Sequence, residues 1–83
     1  MFEIVVRRLG GADGSTSVGV ANTNDLATAL DLRNRKAAEL IGRGFKGRRN
    51  AAGVWRLSKR DFGKRVRLAV YVRQIVRPVQ YLS

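Results

Sequence analysis

Apolar and polar residues alternate with period two at both ends of this chain and step at helical spacing through its middle. Near the start, Phe2, Ile4 and Val6 alternate with Glu3, Val5 and Arg7, and β-branched residues are frequent. Residues 2–9 therefore read as a strand. Gly10, Gly11, Ala12, Asp13 and Gly14 make a turn. Residues 15–20 follow either as a return strand, interrupted by Gly19, or as loop. From residue 65 the alternation returns, with Val66, Leu68, Val70 and Val72 on one face and Arg67, Ala69, Tyr71 and Arg73 on the other. This strand is expected to pair with the N-terminal one. Pro78 restricts any later ladder to an edge. Tyr81 and Leu82 in the tail either pack or stay loose.

The middle of the chain, residues 23–62, follows a different rule. Asn22 reads as a helix N-cap, with Asp25 where a capping box places its carboxylate. Leu26, Ala27 and Leu30 form one apolar helical face. The pattern then breaks at Asp31, Leu32 and Arg33, with Leu32 pointing inward and Asp31 at a reversal of the chain. It resumes in Ala37, Leu40 and Ile41, which predicts a second helix over residues 34–43, ended by Gly42 and Gly44. Two short apolar faces this close together have the spacing of a helix-turn-helix. Beyond Lys46 the period returns to two. Trp55 and Leu57 share a face, which predicts a basic hairpin with its tip at residues 51–53. Phe62 then reads as an apolar anchor and Gly63 as a break.

Composition sharpens the picture. The chain has 83 residues, no cysteine, no histidine and a net charge of +11. One small domain is expected, in three parts: 1–21, 22–62 and 63–83. Without cysteine or histidine, zinc sites built on them and Ser-His or Cys-His nucleophile pairs are excluded. The few carboxylates are scattered, with no close acid pair and no metal-ligand spacing. The glycines around Phe45 lack the Lys-Ser/Thr pair of a phosphate loop. An enzyme, a cofactor and a bound metal are therefore not expected. No apolar run approaches the ~18 residues that span a bilayer, and the N-terminus lacks the order of a secretory signal. A cytoplasmic, nucleoid-associated protein with no membrane contact is expected. The charge is also unevenly placed. Residues 1–32 are slightly acidic, and the excess of Lys and Arg falls in residues 33–67. Each phosphate neutralised by such a block releases condensed counterions, so a nucleic-acid partner is the natural expectation.

Residues 29–45, ALDLRNRKAAELIGRGF, look like the helix-turn-helix of the excisionase and MerR-like winged-helix group. Leu30, Asp31 and Leu32 stand at the turn, with Asp31 in place of its usual glycine. Arg33, Asn34, Arg35 and Lys36 open the second helix, and Leu40, Ile41 and Gly44 follow in register. Trp55, Arg56 and Leu57 match the wing strand, and Lys59, Arg60, Asp61 and Phe62 the run after it. The likeness covers about half the chain, and the strand at 66–72 takes the place of the group's third helix. The resemblance implies an α+β fold, a small winged helix-turn-helix with added N- and C-terminal β-strands. It further implies a sequence-specific binder of double-stranded DNA that directs recombination or regulates transcription, as in a phage or mobile element. Self-association or cooperative binding on DNA, and a recombinase or RNA polymerase as partner, go with that.

On this reading the N-terminal end of the second helix meets base edges in the major groove. Arg pairs bidentately with guanine and Asn with adenine, which nominates Arg33, Asn34, Arg35 and Lys36. Arg43, Lys46, Arg48, Arg49, Arg56, Lys59 and Arg60 would hold phosphates or the minor groove. Lys64 and Arg65 extend the footprint. Glu39 is expected to pair with Arg35 or Arg43 rather than to read a base, and Trp55 to fill the gap between wing and helices rather than to stack. Two other readings remain open: a protein-interaction module such as a phage inhibitor of a host machine, and an RNA-binding, ribosome-associated protein.

Overall fold

A computed structural model describes residues 1–10 and 16–75. The order of elements is β1 (Phe2–Leu9), β2 (Thr16–Thr23), α1 (Leu26–Gly42), β3 (Lys46–Arg49), β4 (Trp55–Asp61) and β5 (Lys64–Gln74). The strands form a single antiparallel sheet in the order β2-β1-β5-β4-β3. One helix packs on one face. The expected α+β winged helix-turn-helix is therefore not the fold. Only one helix is present among the described residues, and the basic hairpin lies in the sheet instead of projecting as a wing. The chain after residue 75, with Pro78, Tyr81 and Leu82, and the turn at 11–14 lie outside the described residues.

Residues 26–42 form one helix because nothing in them breaks one. No glycine or proline falls between Leu26 and Ile41. Asp31, expected at a turn, instead pairs with Arg35 at 2.9 Å one turn on. The buried positions are Ala29, Arg33, Ala37 and Leu40, a continuous helical stripe. The stripe reads as broken in sequence because a charged residue, Arg33, occupies its middle. The N-cap is Asp25, not Asn22. Its carboxylate accepts from the Thr28 amide at 2.8 Å and from the Thr28 hydroxyl at 2.6 Å. These bonds hold the Asp25 pKa below the usual aspartate value. Asn22 is already committed to β2, opposite Glu3. At the other end Gly44 turns at φ 103°, and the Phe45 amide donates to the Leu40 carbonyl at 3.1 Å.

The terminal strands do pair, and residues 16–23 form a strand, antiparallel to β1, rather than a loop. β1 lies between β2 and β5, with Ile4 opposite Val72 and Val6 opposite Val70. The shared parity carries through to β4, where Leu57 lies opposite Leu68. Phe2, Ile4, Val6, Leu68, Val70, Val72, Trp55 and Leu57 thus face the helix and form the core with Ala29, Leu32, Ala37, Leu40 and Phe45. Alanine at 29 and 37 brings the helix backbone close to the sheet. β3 comes equally close to β4: a Cβ at Gly47 would sit 1.8 Å from the Arg56 carbonyl oxygen. No helix among the described residues is long and apolar enough to cross a membrane.

Phe62 is not an anchor. It is 99% exposed, and it sits with Gly63 at the centre of the two-residue turn between β4 and β5. Both have positive φ, 49° for Phe62 and 75° for Gly63. Turns with two left-handed residues match strand twist and favour Asn-Gly; an aromatic residue there is strained. Replacing Phe62 by asparagine is expected to stabilise the fold by about 1 kcal/mol, visible as a melting temperature raised by roughly 4–8 °C. Leu57→Ala, by contrast, removes a core side chain that is 2% exposed, at a cost of about 2–5 kcal/mol. Loss of the folded state's cooperative melt is the expected readout.

Candidate nucleic-acid interface

The sheet has a second face, and it is basic. Side chains alternate across a strand, so those opposite in parity to the core point away from α1. On β5 these are Arg65, Arg67, Ala69, Tyr71 and Arg73. The register places Arg60, Ser58 and Arg56 of β4 beside the first three. Lys46 and Arg48 of β3 follow beside Ser58 and Arg56. On β1 the same face shows Glu3, Val5, Arg7 and Leu9. One row thus runs across the strands as Arg7, Ala69, Arg56 and Arg48, and the next as Leu9, Arg67, Ser58 and Lys46. Neighbouring strands lie ~4.8 Å apart. The cations Arg7, Lys46, Arg48, Arg56, Arg60, Arg65, Arg67 and Arg73 are all exposed.

The acid on this face is Glu3, and it is already engaged. Its carboxylate pairs with Arg73 and leans over Gly19, where an added Cβ would lie 2.5 Å from Oε2. Val5, between Gly19 and Tyr71 in register, is fully buried although α1 lies on the other face. A shallow cavity of about 200 Å³ lies where Leu9, Arg56, Ser58 and Arg67 meet.

The residues nominated from sequence divide sharply. Lys46, Arg48, Arg56 and Arg60 lie together on the helix-free face. Arg49 and Lys59 have the opposite parity. Lys59 donates to the Arg43 carbonyl at 3.0 Å and lies 5.8 Å from the Phe45 ring centroid, so it ties the end of α1 to β4. Arg35 pairs with Asp31, and Lys36 and Arg43 both pair with Glu39, at 3.3 Å and 2.9 Å. These three remain on the helix, on the other side of the sheet from the basic rows. The expectation that Glu39 pairs within its helix holds for Arg43 and not for Arg35.

Arg33 and Asn34 bond within the fold. Arg33 is 7% exposed, and its Nη1 donates to the Gly53 carbonyl at 3.0 Å. Its Nε donates to Asn34 Oδ1 at 3.2 Å, and the Trp55 indole donates to the same oxygen at 3.0 Å. A guanidinium, an amide and an indole thus pin the β3–β4 turn to α1. Trp55 fills the space between hairpin and helix, as expected. Desolvation, and then the charge of Arg49, lower the Arg33 pKa from the usual arginine value. The Asn50 side chain shapes the turn itself, accepting from the Ala52 and Val54 amides at 3.0 Å each.

Arg67 belongs to the basic block read from sequence, whereas the nomination omitted Arg7 and Arg73. Their signal was present in the alternation that placed Arg67, Ala69, Tyr71 and Arg73 on one face. Assigning that face to a ligand required knowing that the helix covers the other. No protein-family model matches the chain, and no curated protein or solved structure matches it.

The Arg33–Asn34–Trp55 node can be tested apart from any ligand. Asn34→Ala strips the acceptor from two half-buried donors and is expected to cost about 1–3 kcal/mol. Loss of the near-ultraviolet Trp55 dichroism should accompany it. Arg35→Ala removes only an exposed pair, and its change in chemical-denaturation midpoint should correspond to less than about 0.5 kcal/mol.

Proposed function

We propose that this chain binds double-stranded DNA with the helix-free face of its sheet. The carrying observation is the basic surface itself: Arg7, Lys46, Arg48, Arg56, Arg60, Arg65 and Arg67 on adjacent strands, with Glu3 occupied by Arg73. Seven exposed cations on one sheet repel one another. Phosphates relieve that repulsion and release their own counterions on binding. Strands are known vehicles for such contacts, since sheets and ribbons enter either groove of DNA. Arginines at the centre, Arg56 and Arg67, are the side chains best placed to reach base edges; the outer ones hold phosphates.

The same face favours a duplex over a single strand. Sequence-tolerant binding of single strands and RNA depends on aromatic side chains that stack on bases. Among the described residues the aromatic side chain in these rows is Tyr71, half-buried and two residues beyond the row of Arg56 and Arg7, while the exposed ring of Phe62 stands alone at the β4–β5 turn and does not make a run of stacking platforms. Trp55, Phe2 and Phe45 pack in the core. The roles implied by the winged-helix resemblance, in recombination or transcription, relied on a recognition helix that α1 does not supply. The proposal is therefore confined to binding.

Fluorescence anisotropy with labelled duplex, single strand and double-stranded RNA, over a range of salt, tests the proposal. Duplex DNA should bind tightest, and each phosphate contact should add about 0.9 to the slope of log affinity against log salt. The double substitution Arg7→Ala with Arg48→Ala, at the two ends of the central row, should lower that slope by up to about two contacts' worth. Arg35→Ala with Arg43→Ala, which alters as much charge on the helix side, should leave it nearly unchanged. Equal loss in both variants would show that net charge, and not this face, does the binding.

A further inference from the structure

The end of the β4–β5 hairpin stands clear of the rest of the sheet. β1 pairs with β5 only as far as Arg67, and β3 with β4 only as far as Ser58. Among the described residues, 59–66 therefore pair only with each other. Lys59 braces the root of this ribbon against the end of α1. Beyond it the ribbon carries Arg60, Lys64 and Arg65 and one acid, Asp61 opposite Lys64, all exposed, and ends in Phe62. Four residues from Ser58 to Phe62 at ~3.4 Å each give a reach of ~13 Å, more than the ~7.5 Å depth of the minor groove.

Phe62 has no structural reason to be there. It makes no core contact, being 99% exposed, and its φ of 49° is one that an asparagine or glycine adopts at lower energy. A large apolar ring in a strained turn, at the tip of a cationic ribbon, costs stability and solubility. Such strain is retained where it serves a contact outside the fold. The exposed ring and the flanking cations match the chemistry of one kind of surface in particular: base steps whose stacked faces are apolar, bordered by phosphates.

We propose that Phe62 is a wedge. On duplex DNA the ribbon enters the minor groove, Arg60, Lys64 and Arg65 hold the flanking phosphates, and the Phe62 ring inserts partway between two base pairs. Apolar side chains inserted in this way unstack a step and kink the duplex by about 20–90°. Pyrimidine–purine steps, which unstack most readily, are the preferred entry points. The protein would then bend the DNA that the sheet face binds. This inference rests on the duplex-binding proposal and adds to it a specific distortion.

The test uses the full chain and a duplex of about 30 base pairs, short against the persistence length of ~150 base pairs. The duplex carries a fluorophore pair at its ends and 2-aminopurine at a central TA step. Wild-type protein should raise energy transfer, as the ends approach, and raise 2-aminopurine emission, as the step unstacks. Phe62→Asn, which favours the turn, should bind with an unchanged salt slope and several-fold lower affinity, and should do neither. Phe62→Leu, which keeps an apolar wedge, should restore both signals. If Phe62→Asn bends and unstacks the duplex like the wild type, the wedge is refuted. If the wild type binds without bending or unstacking, the wedge is refuted and the duplex-binding proposal stands. Absence of any duplex binding removes both.

Discussion

The pairing of the first strand with the last is the constraint on which the remaining structure depends. β1 and β5 run side by side from Phe2 opposite Gln74 to Leu9 opposite Arg67. A shift of one residue would move every side chain on one of them to the other face. Ile4 and Val6 would then lie beside arginines, and Arg7 would lie under the helix. The register as formed sends Ile4, Val6, Leu68, Val70 and Val72 to one side and Arg7, Arg65, Arg67 and Arg73 to the other. Core and candidate interface are thus two sides of one alternation, and neither can be altered without the other. The pairing also closes a long loop in sequence, since residues 10–63 lie between β1 and β5.

The helix is held to this sheet by a small apolar interface and one polar node. Two of the deepest helix positions are alanines, so close approach rather than large area makes the contact. At the hairpin side the contact is Arg33, bonded to Gly53 and Asn34, with Trp55 joined to the same amide. Burying an arginine without a carboxylate partner among the described residues is costly. Two of its donors are satisfied by oxygens, and the side chain's length bridges a gap that no aliphatic residue would span. The node lies at the end of the β3–β4 turn, so it also fixes the hairpin that presents Arg48 and Arg56. Stability of the turn and placement of the basic rows are therefore coupled.

The two ends of the sheet differ in character. The end near Glu3 and Arg73 is neutralised within the molecule. The end near Arg60 and Arg65 carries exposed cations beside the exposed Asp61, and its tip is the exposed ring of Phe62. Charge that would repel itself in isolation, and a strained exposed ring, are both features that a stability optimum would remove. They lie on one connected region, the face and the ribbon that extends from it. That coincidence is the reason for assigning both to one ligand.

How much of this was legible in the sequence depends on the range of the interaction involved. The strands at both ends, the hairpin tip near residues 51–53 and the inward Trp55 and Leu57 follow from period-two alternation and local turn chemistry, and the crowding of basic charge in residues 33–67 from composition. Those are set by each residue and its near neighbours. The helix-turn-helix was misread at Arg33, because a charged residue in the middle of an apolar stripe looks like a break until Gly53 and Asn34 are brought to it. Phe62 was misread for the converse reason: an aromatic side chain suggests a core, and only the pairing of Asp61 with Lys64 puts it at a turn. Sequence by itself determined which residues alternate and how much positive charge the chain carries. Tertiary structure alone decided which face of the sheet the single helix covers. Covering one face is what turns scattered arginines of four strands into a surface, since burial of the apolar parity under the helix sends the cations of the other parity to the opposite side, where they are exposed.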